Sequence, residues 1–441
     1  MSTFSAPGAG AFVHVTPLLH ADGVPAGARS APEMRRSHAP ATLYIGAGGG
    51  GDTVAAVVRA LSEPENSRRL VLGAGYAYSA YVNAVVEGNE RNGKVQRPPT
   101  EASLAMVKRY VNSVLEPCSG YVHGDGDGEA PDACAVFRLK KPTAASEGIK
   151  AAVFSDKRAR DADGVPGYES ADSGYKYKTL LEESAFLGAV DAEGVECFLL
   201  ATSDRLDASA AREFEALKAF VVQQRVHEVV LMDFGGDLFD LRPVLKGARD
   251  GVFLTLLVQL LKDPMTPLRL RIEVYGPGVD MHDKPSDVYE KLCLRYSPSS
   301  VSFRGEGNGV YGTLHDLHET LSKQGILGPG RATGNWYEAV RRSLLDKHDD
   351  KVASWRALKA YVTGFLAMRD DFIKLAGSKD KADKAEAEAR LADAFTINLD
   401  AYSGVFTYLY SADKLPVFPA GSESQKALEF PGGVLGYIAR T

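Results

Sequence analysis

Hydrophobic and polar positions alternate between two patterns from residue 42 onward. Short apolar runs rich in β-branched residues are typical of buried strands, and the segments between them carry apolar residues at helical spacing. The predicted strands are TLYI (42–45), RLVLGAG (69–75), CFLLATS (197–203), EVVLMDFGGD (228–237) and LRLRIEVYGPGVD (268–280). The predicted helices are residues 53–62, 101–115, 209–224 and 248–262. This alternation predicts an α/β fold with a mostly parallel sheet and helices on both faces.

The pattern changes after residue 330. Segments 335–350, 355–376 and 378–394 have the spacing or composition of helices, and FTINLD (395–400) predicts a returning strand. Before residue 41 the chain is rich in Ala, Gly, Pro and His and has no regular period. We therefore expect a poorly structured N-terminal extension (1–40), an α/β domain (41–330) and a mainly helical C-terminal region (331–441).

Three predicted strands end in glycines followed by an aspartate. IGAGGGGD leads to Asp52, DFGGD runs from Asp233 to Asp237, and YGPGVD leads to Asp280. The carboxyl ends of parallel strands meet at one sheet edge, which is where such folds bind ligands. Glycines allow a close backbone approach, and a following helix N-terminus attracts phosphate. The expected ligand-binding glycines are Gly48, Gly49, Gly50, Gly51, Gly235, Gly236, Gly276 and Gly278.

The aspartates of these loops have two interpretations. In the functional one, Asp233 and Asp237 are catalytic residues that hold magnesium, Asp280 binds the ligand, and Asp52 orients the glycine loop, since hard carboxylate oxygens suit magnesium and sugar hydroxyls. In the structural one, Asp52 is an N-cap that accepts the N–H of Val54 or Ala55, and the other three form turns or caps.

Two further side chains belong to the same edge. His282 follows the third loop in GVDMHD and could act as a general acid or base. Arg205 follows the strand at 197–203 and is a candidate phosphate clamp. Each also has an ordinary structural alternative, as a surface or partly buried residue.

Composition narrows the function classes. The 441 residues carry a net charge of −6, which argues against nucleic-acid binding through a broad basic surface. No apolar stretch approaches the roughly 20 residues of a membrane span. The four cysteines have no C-x-x-C spacing, so they indicate neither a zinc site nor a dithiol. We expect a cytoplasmic protein, with mitochondrial import as the alternative for the Arg-containing N-terminus.

The glycine run also fits a dinucleotide fingerprint at Gly46, Gly48 and Gly51, but such a match arises easily in a glycine-dense segment. The acidic residue expected about 20 positions later, near the end of the next strand, is missing from LVLGAGYAYS (70–79). This absence argues against NAD as the cofactor. No Gly-Lys-Ser/Thr follows the glycines, so the P-loop pattern is absent as well.

The three motifs IGAGGGGD, DFGGD and YGPGVD, in this order on successive strand ends, resemble an uncharacterised domain-of-unknown-function family, numbered eleven fifty-two. That family is described mainly from archaea, with members in bacteria and kinetoplastids. The resemblance covers roughly residues 42–330 and implies a Rossmann-like fold without bringing an established reaction. The stretch DLFDLRPVLKGARDGVFL departs from the Ser-Pro-Leu-type segment common after the family's central motif.

These observations predict a protein that binds a nucleotide or phosphorylated metabolite at the carboxyl edge of its sheet, with magnesium as the expected metal where one is bound. An enzyme with magnesium-dependent phosphate-group chemistry is favoured. A non-catalytic ligand-binding or scaffold protein is the alternative, and a dinucleotide-dependent oxidoreductase is a third. The expected partner is a small molecule, with no nucleic acid and no membrane, and a homo-oligomer is left open.

Overall fold

A computed structural model gives the structure of the chain. It describes residues 40–48, 50–64, 67–76, 114–118, 136–140, 180–190, 192–202, 208–239, 249–279, 288, 292, 296–302, 309–324, 326–327, 332–344, 380–382, 385, 403–418 and 423–431. The expected N-terminal extension and the predicted elements at 355–376 and 395–400 lie outside these residues, as does nearly all of 378–394.

In the described part of the chain, nine strands form one mixed sheet. The strands are β1 (Ala41–Gly46), β2 (Arg68–Tyr76), β3 (Leu115–Pro117), β4 (Val136–Leu139), β5 (Val195–Thr202), β6 (Val226–Phe234), β7 (Arg269–Tyr275), β8 (Ser300–Ser302) and β9 (Val405–Tyr410). Their order across the sheet is β3-β4-β5-β2-β1-β6-β7-β9-β8. The five central strands from β5 to β7 are parallel, whereas the outer pairings are antiparallel. The predicted α/β class and the mostly parallel sheet are confirmed.

Helices connect the strands and cover the sheet. They are α1 (Gly51–Leu61), α2 (Leu180–Leu187), α3 (Ala208–Gln223), α4 (Arg249–Leu261), α5 (Val310–Asp316), α6 (His318–Lys323), α7 (Ala332–Ser343) and α8 (Glu423–Glu429). A short 3-10 turn, Asp237–Phe239, follows β6. Most predicted helices and strands match these bounds within a few residues.

Alternating side chains of the central strands supply two separate cores. On one face, Tyr44 of β1 and Val230 of β6 pack with α1, α2 and α7. On the other face, Leu43 and Ile45 of β1 pack with α3 and α4. Every residue of β1 is buried, which is expected of a central parallel strand covered on both sides. Helices therefore lie on both faces of the sheet, as the pattern predicts.

One prediction needs correction, and the C-terminal range also contributes a strand. Leu115, which the helical pattern placed in a helix over 101–115, lies in β3 and pairs with Leu139 of β4. The range 331–441 contributes more than helices, because β9 pairs with β7 within the same sheet. The pattern missed β9 (VFTYLY), which follows shortly after FTINLD, the segment that predicts a returning strand. Among the described residues, no helix is long and apolar enough to cross a membrane.

Candidate functional site

The three glycine-rich loops lie side by side at one edge of the sheet. They follow β1, β6 and β7, which are adjacent parallel strands. Backbone hydrogen bonds join them. The N–H of Ala47 donates to Met232 O (2.8 Å), and the N–H of Gly278 donates to Gly235 O (2.6 Å). The loops therefore form one continuous backbone surface at the carboxyl ends of the central strands.

The order of the strands reverses between the first two loops. The chain runs from β1 to β2 and β5 on one side of β1, and then places β6 and β7 on its other side. Such a reversal opens a crevice beyond the strand ends, and open α/β sheets bind their ligands there. The loop at 47–50 and the glycines after β6 flank this crevice.

The first loop makes a tight turn into α1. A side chain at Gly46 would overlap the backbone of Asp52, so the chain folds back closely on the end of β1. Gly50 is the N-cap of α1 and has a φ of 61°, which glycine adopts without strain. Gly50, an expected ligand-binding residue, and Gly46, the first glycine of the fingerprint match, therefore each have a structural reason to be glycine.

Asp52 lies in the first turn of α1, and its carboxylate accepts the N–H of Gly48 at 2.9 Å. The N-cap interpretation of Asp52 is wrong, because Gly50 occupies that position and α1 has no side-chain cap hydrogen bond there. The contact with Gly48 is one that orients the glycine loop. A negative side chain at this position also stabilises the positive end of the helix.

Glu183 of α2 is a site residue that sequence analysis missed. Its carboxylate is fully buried and accepts the N–H of Gly50 at 3.0 and 3.2 Å. It also accepts the hydroxyl of Thr53 at 2.6 Å. The start of α1 thus holds an oxyanion supplied by the protein itself. No sequence motif marks Glu183, which contacts residues far away along the chain.

The second loop is built around Asp233. Its buried carboxylate accepts the N–H of Gly236 at 2.9 Å, and Gly235 and Gly236 have φ values of 120° and 96°. This is the turn role that the structural interpretation assigned to Asp233. Asp237 begins the 3-10 turn, and its side chain lies outside the described part of the structure.

The third loop is held by residues beyond position 330. Gly276 and Gly278 have φ values of 57° and 73°, and the N–H of Gly276 donates to Gly404 O at 2.9 Å. The side-chain amide of Asn335 donates to Val279 O at 2.9 Å. The segment before β9 and the first turn of α7 therefore help to shape this edge of the sheet.

Helix α7 packs against the loops through its N-terminal turn. The indole of Trp336 contacts the rings of Phe234 and Tyr275 and donates to Gly404 O at 3.3 Å. The hydroxyl of Thr333 lies against Gly51, where a methyl group would overlap it. Sequence analysis gave this helix no role at the site, because its position depends on packing rather than on a motif.

A buried ion pair anchors the far end of α1 on the same face of the sheet. Arg59 donates to Glu273 of β7 at 3.1 Å, and the hydroxyl of Tyr275 donates to the same carboxylate at 2.5 Å. Burial is the largest single influence and lowers the pKa of Arg59, but the charge and hydrogen bond of Glu273, together with Tyr275 and Glu63, raise that pKa overall. Burial also raises the pKa of Tyr44, whose ring faces the Arg59 guanidinium.

Several predicted site residues lie outside the described part of the chain, namely Gly49, Arg205, Asp280 and His282. Within the described part, no group of three or more His, Cys, Asp or Glu side chains is placed to hold a metal ion. In the described part of the chain, the site thus consists of the backbone of the three loops, the side chains of Asp52, Glu183 and Asp233, and the start of α7.

Comparison with protein-family models found no matching family, and no curated protein and no solved structure matched the chain. The resemblance to the domain-of-unknown-function family therefore stays a prediction.

Proposed function

We propose that this chain binds a nucleotide or another phosphorylated metabolite in the crevice between the loops after β1 and β6. The observation that carries the proposal is the position of the glycine run. It follows the first strand, directly precedes a helix, and lies where the strand order reverses.

The fold favours the same interpretation. The five parallel strands have the order β5-β2-β1-β6-β7, which is the order 3-2-1-4-5 when they are counted along the chain. Doubly wound dinucleotide-binding folds use this order, and on that basis we infer a Rossmann-like domain. Membership of the resembled family and a cytoplasmic location belong to the same proposal. The order alone specifies no reaction.

The electrostatics of the loops constrain how phosphate binds. Asp52, Glu183 and Asp233 each accept a backbone N–H from a glycine of the loops. A phosphate in this crevice therefore meets nearby negative charge, which a divalent cation would offset. For this reason we propose that magnesium accompanies the ligand, with Asp233 and Asp237 as its ligands, and that magnesium-dependent phosphate-group chemistry follows. His282 and Arg205 keep their proposed roles as acid–base and phosphate-clamping residues.

A non-catalytic ligand-binding protein is the second candidate. The carboxylates of Asp52, Glu183 and Asp233 each accept a hydrogen bond from a backbone amide. Their presence is therefore explained by the structure of the loops without any reaction. The two candidates share the binding site and differ only in turnover.

Binding is tested by thermal unfolding of the full chain with ATP, ADP, ribose 5-phosphate and pyrophosphate, each with and without magnesium. A ligand that binds the folded state raises the unfolding temperature, so at least one of these compounds is expected to do so. Adenosine serves as the comparison without phosphate. If none of the phosphate compounds stabilises the chain, the proposal is wrong.

The metal role is tested with Asp237→Asn and Asp233→Asn, which remove charge and keep an acceptor oxygen. Both variants are expected to fold and to lose the additional stabilisation that magnesium gives in the presence of ATP. Asp316→Asn, at an exposed position of α5, is the matched control and is expected to behave as wild type. Release of phosphate from ATP by wild type, absent in Asp237→Asn, would favour the enzyme over the binding protein.

A further inference from the structure

The hydroxyl of Thr333 is buried and has no hydrogen-bond partner. Thr333 is 0% exposed, and its oxygen is among the buried side-chain atoms without a partner. Leaving a buried hydroxyl unpaired costs about 1–3 kcal/mol, and a valine of the same shape would avoid that cost. An unpaired polar atom of this kind needs an explanation.

This hydroxyl points to the beginning of α1. It is the atom nearest to the place where a side chain of Gly51 would be. Gly51 is the first residue of α1, and its N–H has no acceptor among the described residues, as is common for the first amides of a helix. Two hydrogen-bond donors, the Gly51 amide and the Thr333 hydroxyl, therefore lie close together without an acceptor.

Two helix N-termini meet at this point. Helix α1 begins at Gly51 and α7 begins at Ala332, one residue before Thr333. Each N-terminus carries a partial positive charge, so their meeting point favours a negatively charged group. Glu183 shows the same preference, since its carboxylate binds the neighbouring donors of Gly50 and Thr53.

We propose that Thr333 is a phosphate-binding residue, whose hydroxyl donates to a phosphate oxygen that also accepts the N–H of Gly51. The proposal rests on the proposed function and specifies its phosphate subsite. The hydroxyl lies against Gly51, so this contact between Thr333 and Gly51 has to open for a phosphate oxygen to reach both donors. The glycine run has no side chains to repack, and its backbone can change conformation readily.

The test compares wild type with Thr333→Val, Thr333→Ser and Thr313→Val by calorimetric titration with ADP and with pyrophosphate. Thr333→Val removes only the hydroxyl and is expected to weaken both affinities by about tenfold or more, the usual effect of losing a hydrogen bond to a charged group. Thr333→Ser keeps the hydroxyl and is expected to bind as wild type. Thr313→Val is the matched control, because Thr313 contacts Ser62 at the opposite end of α1.

The unfolding temperature of Thr333→Val shows whether the Thr333 hydroxyl contacts a ligand or contributes to packing. Because the hydroxyl has no partner, Thr333→Val is expected to unfold at the same temperature as wild type or higher in the absence of ligand. Wild-type affinity in Thr333→Val would overturn the inference and leave the proposed function intact. Absence of ADP and pyrophosphate binding to wild type would overturn both.

A second measurement needs no variant. In hydrogen exchange of the wild-type chain, ADP is expected to slow exchange in peptides from 46–61 and 332–343 together. Protection of 46–61 alone would show that the ligand does not reach α7 and would overturn the inference.

Discussion

The carboxylate of Glu183 binds the backbone amide of Gly50, with N–O distances of 3.0 and 3.2 Å. Gly50 is the N-cap of α1, so a carboxylate from α2 supplies the acceptor that an N-cap side chain would otherwise provide. This contact stabilises the glycine loop from within the protein. It also offsets part of the backbone entropy that is lost when a run of glycines is ordered.

Glu183→Ala is expected to destabilise the chain strongly. It leaves the Gly50 amide and the Thr53 hydroxyl without their acceptor, at about 1–3 kcal/mol for each buried donor. Glu183→Gln is expected to cost less, because the amide oxygen can accept from Gly50 while the Thr53 hydroxyl rotates to accept from the amide nitrogen. Urea unfolding measures both. Glu215→Ala, at an exposed position of α3, is the control. Equal stability of the Ala and Gln variants would contradict this account.

Gly51→Ala is expected to destabilise the chain by about 1–3 kcal/mol, because the new methyl group overlaps the Thr333 hydroxyl. Thr333→Ala should restore most of this loss, since the Thr333 Cβ lies 3.4 Å from the methyl position, an ordinary contact distance. A double-mutant cycle by chemical unfolding measures the coupling. Gly312→Ala is the control. A methyl group at Gly312 would meet open space, so this variant is expected to leave stability unchanged or to raise it slightly. Additive effects of Gly51→Ala and Thr333→Ala would show that the two residues do not touch.

The ion pair between Arg59 and Glu273 is expected to be sensitive to the loss of either partner. Each single variant takes the main partner from a buried charge, leaving Glu63 for Arg59 in Glu273→Met and the Tyr275 hydroxyl and Arg271 for Glu273 in Arg59→Met. Breaking a buried pair in this way costs up to about 3–5 kcal/mol. The double variant is expected to lose less free energy of unfolding than the two single variants added together, because neither buried charge remains. Glu319→Gln breaks an exposed pair with Lys323 and should change unfolding little. If the double variant loses as much free energy of unfolding as the two single variants together, Arg59 and Glu273 are not coupled.

Stability is expected to fall at alkaline pH. Burial raises the pKa of Tyr337 to about 12 and also raises the pKa values of Tyr44 and Tyr410. In the unfolded chain, tyrosines ionise near pH 10. Because the folded pKa is the higher one, this stabilisation is complete below about pH 10 and is lost as the pH rises toward 12.

Urea unfolding between about pH 8 and pH 11 at constant ionic strength measures this loss. Tyr337→Phe, which also removes the contact between Tyr337 and His315, is expected to flatten the decline. Stability that stays constant across this range would contradict the assignment of these tyrosines.

The sequence predicts the central strands well, because each is an apolar run, and β1, β6 and β7 also end in glycines. Tyr44 and Val230 point to one core and Leu43 and Leu231 to the other, so the strands are apolar on both faces and easily recognised. The outer strands β3 and β8 are only three residues long, which is too short for a pattern to appear.

The site was predictable only where its residues follow a strand in the sequence. The Gly48 and Asp52 contact is local, four residues apart, and lies within the predicted loop. Glu183, Thr333 and Asn335 reach the same edge through the packing of α2 and α7. Their residue types are common on helices, and nothing in their spacing indicates which strand end they will contact.

The position of β9 bears on the order in which the molecule assembles. β7 and β8 are made early, yet β9 stands between them and pairs with both. During synthesis the third glycine loop can form its hydrogen bond to Gly404 only after the more than 120 residues between Gly276 and Gly404 have left the ribosome. Pairings between distant segments form slowly, so this edge of the sheet is among the last of the described parts of the molecule to be completed. A chain that ended before Val405 would contain the three glycine motifs but would lack β9, so the edge of the sheet at these motifs would be incomplete.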